Sequence, residues 1–171
     1  MSKPPAVKLI PFFGMLALSV ALGALLLGYG LLLPSLEMNH QLIDANLAKS
    51  LSYPLSLHLA DALIAAQLIL ALLLPRWITH RLATTLGIIL FALAVFLRLW
   101  VIPELYITWS RVDLVSKRPV DQLQAAYQWT LYQYVVLASM FVLNIILLWL
   151  TSRPRSIQLK GNSTTDALVS T

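Results

Sequence analysis

The chain reads as all-α: an integral membrane four-helix bundle with both termini on the cytoplasmic side. Three observations lead there. Hydrophobic residues make up 59% of the 171-residue sequence and charged residues 11%, with a mean hydropathy of +0.80, far from the balance of a water-soluble domain. Four apolar runs reach the roughly 20 residues that cross a bilayer at 1.5 Å rise per residue. Lysine and arginine also favour one side of those runs. With the N-terminus inside, Lys3, Lys8, Arg76, Arg81, Arg153, Arg155 and Lys160 are cytoplasmic, against Lys49, Arg111, Lys117 and Arg118 outside.

The first span is expected at about 11–34. Its apolar run is too long for a signal-peptide core and leads into Pro34-Ser35-Leu36-Glu37 rather than a small-x-small cleavage site, so it should be retained as a helix. Within it Gly14, Ala17, Ala21, Ala24 and Gly28 recur at spacings of three and four, a smooth stripe that suits close helix packing, in a homo-oligomer or against another membrane protein. The next segment, 35–53, carries Leu42, Ile43, Leu47 and Leu51 at helical spacing among polar residues, which predicts a short amphipathic helix on the outer surface.

The second span, about 54–74, is bracketed by Pro54 and Pro75, and the third, about 82–103, ends at Pro103; proline suits a helix start or a kink near a helix end. Residues 104–114 can continue the third helix past that kink. The fourth span, about 129–150, has no breaker upstream as far as Pro119, so its helix is expected to start near 119 or 120 and project beyond the outer face. Trp77 and Trp149 then mark the inner interface, and Trp100, Trp109 and Trp129 the outer one. Residues 152–171, rich in Ser and Thr, read as a disordered cytoplasmic tail. No internal repeat is apparent in the sequence.

Only two charges lie well inside the apolar runs, Asp61 and Arg98. A charge at the centre of a spanning helix costs roughly 2.5–3.5 kcal/mol on insertion scales, so such residues pair, snorkel or face water. Counting from Pro54 and Pro103, they lie about 10 and 7 Å deep at 1.5 Å per residue, within mutual reach. His58 is one turn from Asp61 on the same helix face, and Gln133 and Tyr134 reach a comparable depth on the fourth span. These five residues form the candidate intramembrane polar cluster, structural or functional.

Other chemistry finds little footing. There are no cysteines, hence no disulfide or thiolate metal site. Only His58 lies within a span, so a bis-histidine haem lacks its ligands, and His58 with Asp61 falls short of the four ligands of a structural zinc. No P-loop, dinucleotide fingerprint, nucleophile elbow or HExxH stands in the chain, and Ser56 and Ser139 have no triad neighbours. No cofactor and no catalytic residue are therefore assigned, and no basic stripe suggests nucleic acid.

The segments ALGALLLGYGLLLPSL (21–36), LSLHLADALIAAQLIL (55–70) and RLWVIPEL (98–105) follow one another in an order that resembles small four-helix membrane proteins grouped as domain of unknown function 4149, with transmembrane-protein-205-like relatives. The likeness spans most of residues 10–150. It implies a fold and a membrane location, and no residue roles, because that family has no established activity. The expected function is a non-enzymatic structural or assembly partner in a membrane, with the bilayer as solvent and a bacterial inner membrane as location. The alternatives are a small oligomeric transporter or proton-coupled subunit, and an enzyme acting on a lipid or quinone at the outer leaflet with His58 or Asp61 as base.

Overall fold

The structure is a computed structural model that describes residues 6–38, 45–78, 81–110 and 119–152. Almost every described residue is helical, and four helices are long and apolar enough to cross a membrane. Helix α1 covers residues 6–38, α2 Ala45–Trp77, α3 Arg81–Ser110 and α4 Pro119–Ser152. They run up, down, up and down, so the bundle has a terminal end, near Gly14, Trp77 and Arg81, and a loop end, near Tyr53, Trp109 and Tyr127. The tail expected beyond 152, the continuation of α3 from 111 to 114, and His40 and His80 lie outside the described residues.

Two expectations about the loop end are corrected. Residues 45–53 do not form a separate surface helix; they are the first turns of α2, which runs unbroken through Pro54. Pro54 therefore lies inside the helix rather than marking its start, while Pro75, at the terminal end, stands two residues before the helix ends at Trp77. A helix interior tolerates a proline where the bond it loses and the clash with the carbonyl four residues back are outweighed by packing on either side.

The other two loop-end prolines shape the backbone differently. Directly before Pro34, α1 widens into a π-helix over Ala24–Leu32, and directly before Pro103, α3 does the same over Leu97–Val101. In each case the residue preceding the proline closes the wide turn: Leu33 N–H donates to Gly28 O, and Ile102 N–H to Leu97 O. The five-residue reach opens room where the pyrrolidine ring would otherwise meet a carbonyl. Aligning the two prolines pairs Tyr29 of α1 with Arg98 of α3.

That alignment extends down the helices. Gly14 matches Ala83, Leu18 matches Gly87, Ala21 matches Leu90, Leu25 matches Ala94 and Gly28 matches Leu97, all buried. From Leu18 onward the alignment pairs a large residue on one helix with a small one on the other, and Gly28 and Gly87 both pack against α2, on Leu59 and Leu74. Likewise, aligning Gln67 of α2 with Asn144 of α4 matches Ala60 with Leu137, Leu63 with Met140 and Leu70 with Leu147, again all buried. The α1–α2 and α3–α4 hairpins thus repeat one burial register with almost no shared letters, a repeat invisible to a reading of the sequence.

The small-residue stripe of α1 is used within the chain. A Cβ on Gly14 would lie 2.5 Å from the Trp77 ring, and one on Gly28 2.6 Å from a Leu59 methyl. Gly14, Ala17, Ala21 and Gly28 are buried and Ala24 is half-buried, and α2 packs on this face at both ends, through Trp77 and Leu59. Neighbouring helices pack along their length except at the α1–α4 seam, where contact is short. There Tyr29, Leu33, Pro34, Gln133, Tyr134 and Leu137 line a recess with room for about one water, near 20 Å³.

Candidate functional site

The two π segments bring the polar residues of the loop half together around α2. Arg98, in the wide turn of α3, donates from Nε to Asp61 Oδ1 at 2.7 Å. Tyr29, in the wide turn of α1, donates its hydroxyl to the backbone oxygen of Ser56 at 2.8 Å, while Ser56 Oγ donates back to Tyr53 O. Asp61 and Ser56 are five residues apart on α2, so the two matched positions of α1 and α3 grip the same stretch of α2 from its two sides. A π turn rotates the side chains that follow it relative to a regular helix, which is why such turns recur at functional positions.

The ion pair is not enclosed. The Arg98 side chain is 29% exposed and that of Asp61 53% exposed, at the groove between α2 and α3. Asp61 Oδ2 and the terminal Arg98 nitrogens take no bond from a described residue. His58 is exposed one turn toward the loop end on the same side of α2 and forms no hydrogen bond with Asp61 among the described residues. Gln133 and Tyr134 are not part of this group. They line the recess at the α1–α4 seam, and neither bonds to Asp61 or Arg98. Depth along a helix fixes a level in the bundle but not the side of it, and the buried Tyr29 ring lies in the α1 wall of that seam.

A second polar pair crosses the bundle in the terminal half. Gln67 Nε2 donates to Asn144 Oδ1 at 3.0 Å, and Asn144 Nδ2 donates to Met140 O at 2.8 Å. Both side chains are 0% exposed, and Gln67 Oε1 is left without a partner. The sequence offered a signal for Gln67: it is the one amide in the second spanning run, 54–74. Tyr29 had one as well, since it stands five residues before a proline, as Arg98 does.

Aromatic residues close the loop end. Tyr53 stacks on Tyr106 at 4.1 Å between ring centres, and Trp109 meets Tyr127 edge to face while its Nε1 donates to Thr130 Oγ1 at 3.2 Å. These contacts tie α2, α3 and α4 just beyond the ion pair. Among the described residues no group of three His, Asp or Glu side chains is placed to hold a metal ion. No protein-family model, curated protein or solved structure matches the chain.

Proposed function

We propose that this is a multi-pass membrane protein, a non-enzymatic assembly partner whose His58, Asp61 and Arg98 form a lateral recognition patch for another membrane subunit. The observation that carries the reading is the open ion pair. It opens sideways from the bundle, between helices whose outward residues nearby are mostly apolar, among them Ala62, Ala65, Leu68, Ile69, Ile88, Ile89, Phe96 and Leu99. Such an apolar exterior suits lipid and not water. In lipid a carboxylate with a free oxygen and a guanidinium with free N–H groups gain strongly from a polar partner, which only another protein surface or a headgroup supplies.

Transport and lipid or quinone chemistry both ask for a cavity at the charged group. The recess at the α1–α4 seam has room for about one water and is lined by neither Asp61 nor Arg98, so the assembly reading is better supported. The positive-inside distribution favours cytoplasmic termini in a bacterial inner membrane, and the family resemblance is kept as part of the proposal. The test is purification in mild detergent followed by mass measurement of the intact assembly. A complex should be recovered with the native chain and lost in Asp61→Asn; a bare monomer in both cases would refute the reading. A reporter fused to the C-terminus should be cytoplasmic.

A further inference from the structure

The outward side of α2 differs from the outward sides of its neighbours. On α1 it carries Phe12, Phe13, Leu16, Val20, Leu27 and Leu31, bulky residues that suit lipid chains. On α2 the exposed positions His58, Ala62, Ala65, Ile69 and Leu72 alternate spacings of four and three, with Asp61 beside them. That average spacing of 3.5 residues is the period of a seam between two nearly parallel α-helices that wind around each other with a left-handed twist. The small residues sit next to the polar ones, where two backbones need to approach for short side chains to meet.

We infer that this face of α2 packs against the same face of a second copy of the chain, with His58 of each copy hydrogen-bonded to Asp61 of the other. This rests on the proposed lateral recognition patch and names its partner. Copies inserted in one orientation are related by a two-fold axis parallel to the helices, so α2 meets its counterpart parallel and in register, and every contact occurs twice. His58 and Asp61 are three residues apart, about 4.5 Å of rise, so a carboxylate on one copy lies within reach of the imidazole on the other. A donor and an acceptor one turn apart on one face are self-complementary under that symmetry. The imidazole N–H then reaches Asp61 Oδ2, which accepts no bond among the described residues, while Arg98 holds Oδ1.

The chain contains no cysteine, so single cysteines report proximity without a background. In native membranes, Ala62→Cys, Ala65→Cys and Leu72→Cys should form disulfide-linked dimers at twice the chain mass, several-fold more than Val20→Cys on α1 or Ala66→Cys in the core. Equal cross-linking at all five positions overturns the inference. Reciprocity supplies a sharper test: with Ala65→Cys in every copy, His58→Ala alone or Asp61→Asn alone should lower dimer yield several-fold. Co-expression of the two variants should recover a good part of it, because one mixed pair keeps both groups. Failure of the mixture to exceed the separate variants refutes the His58–Asp61 contact. Should the α2 cysteines link to a protein of another mass, the second copy is refuted while the assembly reading stands. A bare monomer with no cross-link removes both.

Discussion

The two polar pairs occupy opposite halves of the bundle and solve different problems. Gln67 and Asn144 join diagonal helices through the middle of the core, in regular α-helix, with no exposure. Asp61 and Arg98 join neighbouring helices at the surface, one of them in a π turn, with half of the carboxylate open. Neutral amides can be enclosed at the cost of one unpaired oxygen, whereas enclosing two charges demands that nearly all their remaining donors and acceptors be satisfied. The terminal half can therefore bury its polar groups as a register lock for the two hairpins. The loop half keeps its charges where a partner can finish satisfying them.

The largest expected effect comes from breaking the charged pair. Asp61→Ala leaves Arg98 alone in apolar surroundings and should cost about 3 kcal/mol, at the low end for a pair losing one member because this one is only partly enclosed. Thermal or denaturant unfolding of the detergent-solubilised protein measures it. The exchange of Asp61→Arg with Arg98→Asp should recover a good part of the loss; a double variant as unstable as either single reversal would show that the two residues contribute separately.

The amide pair should behave in the opposite manner when both members are removed. Gln67→Leu or Asn144→Leu alone strands a buried polar group and should cost about 2 kcal/mol. The double leucine variant should be more stable than either single one, because no unpaired amide remains in the core. A double variant less stable than both would mean that the amides hold the hairpins more tightly than one bond of 3.0 Å suggests.

Glycines extend the comparison to packing. Gly14 in the terminal half faces the rigid Trp77 ring, and Gly28 in the loop half faces both methyls and the branch carbon of Leu59, a smaller side chain with more rotamer freedom than an indole. Gly14→Ala should cost about 1–2 kcal/mol from overpacking, net of the helix propensity it gains, and Gly28→Ala less. Equal losses would mean that the loop half is as closely fitted as the terminal half.

What the sequence made legible follows from what each signal measures. Hydropathy summed over 20 residues counts transfer from water, which is why four long apolar helices could be read directly. That Asp61 and Arg98 come within reach of each other could be read from rise per residue. Azimuth could not: Gln133 and Tyr134 share a level with the charged pair yet face another seam, and the glycine stripe of α1 packs against α2 at both ends. Proline, read as a boundary, started no helix at 54, stood two residues before a helix end at 75 and widened the backbone before 34 and 103. Its effect depends on the tertiary packing around it, which one sequence does not display.

The smallest effect tests whether the wide turn of α1 serves the same layer as that of α3. Tyr29→Phe removes only the hydroxyl that donates to Ser56 O and leaves the buried ring in place, so stability should fall by about 1 kcal/mol. The informative quantity is its coupling to Arg98. Tyr29 and Arg98 hold matched places before Pro34 and Pro103 and grip one stretch of α2 from two sides, so the two contacts should reinforce each other if α2 is positioned by both. A double-mutant cycle of Tyr29→Phe with Arg98→Ala should then give an interaction of at least about 0.5 kcal/mol. A strictly additive pair would mean that the charged face of α2 is set by α3 alone, and that the matching π turn of α1 only accommodates its proline.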